Sequence, residues 1–183
     1  MNPLTYPQPG RWAIDPLHSS VEFVARRLMT RQRGRFTELS GTVLIAANPA
    51  ESEVTATIKA DSVDTALAIR DEHLRGAAYL DVANHPEMTF TSTVIQPTDE
   101  TSFTLGGTLT IRGVSRPVGF TVTFLGTGVD QFGMTRASFS ATAEIDREAF
   151  GVDGNVSLDG GVLIGRTVRL ELEIELTPAS EAA

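Results

Sequence analysis

The chain has 183 residues, the length of one domain with short tails, and contains no cysteine, which excludes disulfide bonds, thiolate metal sites and a cysteine nucleophile. Fifteen basic residues against twenty-three acidic ones give a net charge of −8, which argues against electrostatically driven binding to DNA, RNA or anionic membranes, since such binding needs a basic stripe. Hydrophobic residues at 41% and charged residues at 21% are ordinary globular values, so the composition excludes a disordered or membrane-spanning chain.

The first ten residues contain three prolines and a glycine, so we expect a flexible, extended arm rather than a folded element. They lack a basic start followed by an apolar run and therefore do not resemble a secretory signal. Together with the absence of cysteine, this indicates a cytoplasmic protein. We accordingly predict an arm over 1–10, one domain over 11–177 and a short tail over 178–183.

From residue 11 onward, the dominant pattern is an alternation of apolar and polar residues. The run 168–176 is the clearest example, because branched apolar residues on one face alternate with glutamates on the other. A period of two is typical of β-strands with one dry and one solvated face, and such sheets are usually antiparallel. In chain order, we predict eight or nine strands near 11–15, 20–26, 35–46, 53–60, 88–96, 103–112, 118–124, 137–145 and 168–176.

One segment, 62–76, interrupts the strand pattern. It begins with capping residues, contains helix-forming residues at helical spacing and ends on Gly76, which predicts a short helix followed by an irregular stretch over 77–86. Eight or more strands with one helix-bearing connection fit either a closed barrel or a two-sheet sandwich with a covering segment. The strand around Val43 and Ile45 is apolar on both faces, so we expect either a second subunit or the helix to cover it.

Five stretches of the chain, in the expected order, resemble the YceI-like family. They are WAIDPLHSSVEF at 12–23, SVDT at 62–65 with RDEHLR at 70–75, HPEMTFTST at 85–93, GTLTIRGVSRPV at 107–118 and IDREAFGV at 145–152. The chain departs from the family at Arg27, where relatives often carry a histidine, and at Leu80, where they often carry a second aromatic residue.

The resemblance implies an all-β fold, namely an extended, lipocalin-like antiparallel barrel of about eight strands with a short helix-bearing connection covering one side. It also implies a carrier, since characterised members of the family hold a long isoprenoid or other lipid chain in the barrel lumen, often as homodimers. The expected function is non-catalytic binding, sequestration or transport of a polyisoprenoid, an isoprenoid quinone or a fatty-acid-like lipid. No cofactor is expected apart from such a lipid, and the expected partners are this hydrophobic ligand and a second copy of the chain.

Removal of apolar surface from water drives the binding of such a chain, so we expect inward-facing phenylalanines and branched aliphatic residues to line the lumen. The alternative is that the same side chains fill a compact core and leave no space, as in many small barrels. The candidate lining residues are Val21, Phe23, Phe36, Val54, Ile58, Phe90, Phe103, Leu105, Leu109, Phe120, Val122, Phe124 and Phe139.

A second candidate group is polar and has two interpretations. In the functional one, an arginine or histidine at the mouth of the barrel meets the head group of the ligand. In the structural one, Asp15 and Asp71 pair with Arg70 or Arg147 and fix the covering segment against the barrel. The members of this group are Asp15, His18, Arg70, Asp71, His73 and Arg147.

The sequence contains no recognisable catalytic or metal-binding motif. The three histidines, His18, His73 and His85, do not have the spacing of a metal site, and there is no GxSxG elbow. We therefore expect neither a catalytic residue nor a bound metal ion. The alternative is an enzyme that acts on a hydrophobic substrate in the same cavity, with His18 or His73 as acid or base.

Overall fold

The computed structural model describes residues 6–154 and 164–179, most of which lie in β-strands. The strands are β1 (Gly10–Ile14), β2 (Ser20–Arg27), β3 (Thr30–Phe36), β4 (Leu39–Ile45), β5 (Glu53–Lys59), β6 (Val63–Asp64), β7 (Glu87–Pro97), β8 (Ser102–Ile111), β9 (Val114–Val129), β10 (Thr135–Asp146) and β11 (Ile164–Pro178). The helical elements among these residues are α1 (Ala68–Arg75) and three 3-10 turns, at Pro49–Glu51, Ala60–Ser62 and Arg147–Phe150. Within the described residues, no helix has the length and apolar composition that crossing a membrane requires.

Eight of the strands close into a barrel, because β1 pairs with β4 on one side and with β11 on the other. The order around the barrel is β1-β4-β5-β7-β8-β9-β10-β11, and every neighbouring pair is antiparallel. The other three strands, β2, β3 and β6, extend the sheet from β11. The predicted antiparallel barrel is confirmed, and closure through β1 is what distinguishes it from a sandwich.

The alternation of the sequence determines which side chains face the inside of the barrel. In β11, Leu170, Leu172 and Ile174 face the interior, whereas Glu171 and Glu173 lie on the opposite face of the same strand. Because side chains of a strand alternate between its two faces, the closed sheet places an apolar surface inside and a charged one outside.

The helix-bearing connection covers one end of the barrel. Leu80 and Val82, which follow α1 in the chain, pack against a buried cluster that includes Met88, Ile111 and Phe150. These contacts remove apolar surface from water at this end and hold the connection on the barrel. The covering segment that the sequence predicts is therefore present.

The predicted strand 35–46 is in fact two strands, β3 and β4, separated at residues 37–38. Alternation does not predict the full extent of β3, because neither face of the strand is apolar over most of its length. The outward face carries Arg31, Arg33 and Arg35, and the other face carries Gln32, Gly34 and finally Phe36. A strand without a continuous apolar face gives no hydrophobic period, so only its pairing with β2 identifies it.

The helix begins later than predicted. Asp64 Oδ1 accepts a hydrogen bond from the Ala66 amide at 2.8 Å, and Ser62 Oγ donates to the Lys59 carbonyl at 2.7 Å. The expected capping residues thus shape the turns that precede the helix, and α1 starts only at Ala68. Its predicted end at Gly76 is confirmed.

Candidate functional site

The barrel encloses a cavity of about 530 Å³ whose wall is almost entirely apolar. Ten of the thirteen candidate lining residues lie on this wall. They are Val21, Val54, Ile58, Phe90, Phe103, Leu105, Leu109, Phe120, Val122 and Phe139. Several of them, including Phe103 and Phe139, remain partly accessible although they face inward, which is the signature of a wall beside unfilled space.

Several residues line the cavity although they are not among the candidates, and the alternation of apolar and polar residues in the sequence could have identified them. Leu170, Leu172, Ile174 and Leu176 line the cavity and share the apolar face of the clearest predicted strand. Ala141, opposite Leu172 on β10, lies on the wall as well. A selection weighted towards phenylalanine omits them, whereas a selection by strand face would have included them.

Three candidate residues, Phe23, Phe36 and Phe124, are not on the cavity wall. Phe23 lies on β2 two residues beyond Val21, which does line the cavity, but the Phe23 ring packs over Gly34, where an added Cβ would be 2.3 Å from the Phe23 Cζ atom. Phe36 stacks at a tilt on Phe23, with 5.6 Å between the ring centroids. Phe124 is only 1% exposed, because Tyr6 and Phe139 cover its ring.

The mouth of the cavity is the end where residues 6–9 and the loops after β4 and β7 contribute to the wall. The Tyr6 ring stacks on Phe124 with 4.7 Å between centroids, and its hydroxyl donates to the Glu100 carbonyl. Trp12 Nε1 donates to the Gln8 carbonyl at 3.0 Å. Residues 6–9 therefore pack across the mouth rather than extending away as the expected flexible arm, while residues 1–5 and 180–183 lie outside the described residues.

Polar groups on the wall are few and lie near the mouth. Apart from the Tyr6 hydroxyl, they belong to Gln8, Ser52, Asp99 and Ser102. The pKa of Asp99 is lowered by hydrogen bonds from the Thr101 and Ser102 amides, so this carboxyl is negatively charged at neutral pH. Among the described residues, no lysine, arginine or histidine lies on the cavity wall.

None of the six polar candidates lies on the described cavity wall, and the structure separates them into different sites. Asp15 and His18 form one of these, on the outer face beside β11. Asp15 Oδ2 lies 2.9 Å from His18 Nδ1 and accepts a hydrogen bond from Arg136 Nη1 at 2.5 Å. Arg136 also donates to Glu175 at 2.5 Å and to Asp130 at 2.7 Å. The partner of Asp15 is thus Arg136, rather than Arg70 or Arg147 as expected.

The Asp15, His18 and Glu175 ligand atoms lie within 4.8 Å of one another, a spacing that a metal ion tolerates. The Arg136 guanidinium, however, already places a cationic group between the two carboxylates. Burial raises the pKa of Asp15, but hydrogen bonds from Arg136, His18 and the Leu17 amide outweigh it and lower the pKa to about 2. The cluster is a network of ion pairs on the outer surface of the barrel.

Arg70 and Asp71 do not pair with each other in the expected way but converge on Thr65. The Thr65 amide donates to Asp71 Oδ1 at 2.9 Å, and Arg70 donates to the Thr65 hydroxyl and carbonyl at 2.7 Å. Arg70 Nη1 also donates to Gln32 at 2.6 Å. These contacts hold α1 against β3 and β6, and His73 on the same helix is exposed.

Arg147 is buried and donates to backbone carbonyls of two segments. Its guanidinium reaches the Val152 carbonyl at 2.6 Å and the carbonyls of Gly165 and Ile164 at 2.9 and 3.1 Å. Glu148 lies 3.7 Å away as a charged neighbour. A buried guanidinium with carbonyl acceptors links the turn after β10 to the start of β11, which is a contact of the scaffold rather than of the cavity.

Comparison with known proteins adds an independent result. The sequence profile of the YceI-like domain matches residues 12–176. A UPF0312 protein of Pectobacterium atrosepticum is 37% identical over 137 residues, which cover 74% of this chain and 71% of that protein.

Solved structures share the fold. BcnA of Burkholderia cenocepacia has a TM-score of 0.79 at 23% identity, covering 88% of this chain and 98% of its own. A polyisoprenoid-binding domain of Saccharophagus degradans has a TM-score of 0.70 at 16% identity, covering 94% and 100%. The profile match over most of the sequence, in a chain that forms the same barrel, shows that the protein belongs to the YceI-like family.

Proposed function

We propose that this protein binds a long-chain hydrophobic ligand inside the barrel and sequesters or transports it without chemical change. The observation that carries the proposal is the 530 Å³ apolar cavity in the closed barrel. Such a cavity matches the size range and apolar lining of small-molecule sites. The family membership and the fold shared with a polyisoprenoid-binding domain support the same function.

The cavity volume sets the length of chain that it can enclose. At about 30 Å³ per water-sized group, a cavity of 530 Å³ holds roughly 18 methylene-sized groups, or about four isoprene units. Burying roughly 18 such groups at about 0.8 kcal/mol each contributes roughly 14 kcal/mol before the entropic cost of association. We therefore propose micromolar or tighter binding, with any longer chain projecting through the mouth.

The charge at the mouth favours a ligand with a neutral head group. The described wall offers no cationic side chain to a carboxylate or phosphate, and the ionised Asp99 repels an anion. We therefore propose an isoprenoid alcohol or quinone in preference to a free fatty acid. Gln8 and Ser102 are the neutral polar groups available to such a head group.

Native mass spectrometry of the freshly purified protein tests this function. We expect a co-purifying hydrophobic mass that is released intact, and uptake by the emptied protein of a C20 isoprenoid alcohol in preference to a fatty acid of equal length. Failure to take up either chain would contradict the proposal. A mass that changes on incubation, and stops changing in His18→Ala or His73→Ala, would support the enzymatic alternative instead, although neither histidine lies on the described wall.

The packing of residues 6–9 predicts that they control ligand exchange. We expect Tyr6→Ala to raise the release rate of a bound fluorescent prenyl probe about tenfold, because it removes both the ring stacking on Phe124 and the hydrogen bond to Glu100. Tyr6→Phe is the matched control, since it keeps the stacking and loses only the hydrogen bond. Stopped-flow release measurements showing equal rates for all three proteins would exclude this role.

We also propose that the protein is a homodimer and that it is located in the cytoplasm. Both properties stay predictions from the sequence. Val43 and Ile45 line the cavity, so only the outward Leu44, at 40% exposure, is left for a second subunit to cover on that strand. Light scattering on the purified protein tests the oligomeric state, and fractionation of the source cells tests the location.

A further inference from the structure

The net negative charge of the chain conceals a basic segment. Residues 23–37 contain five arginines and no acidic residue, so the remaining sequence has 10 basic and 23 acidic residues and a net charge of −13. The structure folds this segment into the β2–β3 hairpin, which extends the sheet beyond the barrel. The overall charge therefore does not describe the surface that this hairpin presents.

The hairpin ends in a two-residue turn made of Leu28 and Met29. Leu28 is 64% exposed and Met29 is 94% exposed. Leu28 also has a φ of 54°, in the left-handed region that bulky side chains rarely adopt. Such turns usually carry asparagine and glycine, so neither turn chemistry nor burial within this chain accounts for two large apolar residues at the tip.

Arginines surround this apolar tip. Arg26, Arg27 and Arg31 are exposed, and within 6–154 and 164–179 their side chains make no hydrogen bond or ion pair. Arg33, further from the tip, pairs with Glu171 at 2.9 Å. The three arginines nearest the tip thus hold unneutralised positive charge.

A surface groove of about 410 Å³ adjoins the hairpin. Arg26, Arg31, Arg33 and Arg169 contribute to its wall, together with the carboxylates of Glu144 and Glu171. Four guanidinium groups against two carboxylates leave the groove with an excess of positive charge. Guanidinium groups bind phosphate with paired hydrogen bonds, so the groove has room and donors for a phospholipid head group.

We propose that the β2–β3 hairpin docks the protein on an anionic phospholipid bilayer. Leu28 and Met29 enter the boundary between head groups and acyl chains, and Arg26, Arg27 and Arg31 contact lipid phosphates. The apolar tip favours a bilayer over a nucleic acid, which offers no apolar layer for it to enter. Charge complementarity selects an anionic rather than a zwitterionic surface.

Docking through the hairpin leaves the cavity mouth free. Arg27 at the tip pairs with Ile164 at the start of β11, whereas the mouth lies near the other end of that strand, where Trp12 pairs with Pro178. The tip and the mouth are therefore at opposite ends of the barrel. Hairpin variants are accordingly expected to keep full uptake of a lumen probe, so the docking and ligand-binding proposals can fail independently.

Vesicle co-sedimentation at low salt tests the proposal. We expect the wild-type chain to bind phosphatidylcholine vesicles that contain phosphatidylglycerol, and not vesicles of phosphatidylcholine alone. R26Q/R27Q/R31Q should lower the partition coefficient roughly a hundredfold, since each arginine near an anionic surface contributes about fivefold. The matched control is R11Q/K59Q/R116Q, which removes three positive charges from exposed positions outside the hairpin and should lower the partition coefficient far less.

A second variant separates the apolar tip from the charge. Leu28→Asn with Met29→Gly introduces the residues that such a turn prefers, so the hairpin stays folded while the apolar contact with the bilayer is lost. We expect its partition coefficient to fall several-fold with the thermal midpoint maintained or raised. Equal losses in the hairpin and control triple variants, or no sedimentation of the wild-type chain with the anionic vesicles, would overturn the proposal.

Discussion

Replacing Ala141 with phenylalanine is expected to abolish ligand uptake while leaving the free energy of unfolding unchanged or raised. Ala141 faces the lumen midway along β10, between Val122 and Leu172, which also line the cavity. A phenyl ring at this position occupies the space of about five methylene-sized groups. The loss of about 4 kcal/mol of apolar burial weakens the binding of a cavity-filling chain about a thousandfold. Titration with a prenyl probe and urea unfolding measure the two quantities.

Ala143 is the matched control, because it lies two residues along the same face of the same strand. Both alanines belong to the buried cluster that includes Phe150, Ala141 at 8% exposure and Ala143 at 7%, but only Ala141 lines the cavity. Ala143→Phe should therefore overpack the core and lower the free energy of unfolding by about 1–3 kcal/mol. If Ala141→Phe destabilised the protein as much as Ala143→Phe does, the interior would be filled and the ligand-binding proposal would be wrong.

Acid is expected to lower the free energy of unfolding, because Asp15 becomes protonated and loses its ionic contacts. The pKa of this carboxyl is about 2 in the folded chain against an ordinary value of 3.8, so the ionised form stabilises the folded state. The stabilisation, roughly 2 kcal/mol at about 1.4 kcal/mol per pKa unit, is complete above about pH 5 and is lost as the pH falls through 4 towards 2. Urea unfolding of the wild-type chain and Asp15→Asn should therefore differ by roughly 2 kcal/mol at pH 6 and converge near pH 2.

Other carboxyls with a lowered pKa, such as those of Asp64 and Asp146, also make the stability of the wild-type chain sensitive to acid. The difference between the wild-type chain and Asp15→Asn contains only the contribution of Asp15, because the other carboxyls are present in both proteins. Arg136→Met should remove most of the same acid-sensitive difference, since it deletes the guanidinium that Asp15 shares with Asp130 and Glu175. An unchanged difference between the two Asp15 proteins from pH 6 to pH 2 would show that Asp15 is not stabilised in its ionised form.

Local sequence pattern predicted the inward face of most strands correctly, because alternation is a property of each strand by itself. It could not predict which inward residues meet empty space. Phe124 and Phe139 illustrate this, because they are cross-strand partners on β9 and β10 with different surroundings. Tyr6 covers the Phe124 ring, whereas Phe139 borders the cavity. The difference depends on a residue more than a hundred positions away, so no period along β9 or β10 contains it.

The polar candidates show the same limit. The sequence grouped six polar residues, and of these Asp15 and His18 are in contact because they lie three residues apart in one turn. Their partner Arg136 is 121 positions from Asp15, and it was missed because nothing in its local sequence distinguishes it from the other arginines. Whole-chain charge likewise concealed the basic hairpin, since β3 has no apolar face to mark it as a strand.

The antiparallel strands, most of their inward faces, the helix-bearing connection and the family could be predicted from the sequence, because they follow from local periods and from motifs in order. Three features are visible only in the folded chain: the barrel closes through β1, it leaves an apolar cavity, and the cavity wall excludes all six polar candidates within the described residues. They cannot be read from local patterns because closure sets the distances across the barrel. Those distances, rather than the character of any single side chain, determine whether an inward residue packs on a neighbour or borders open space.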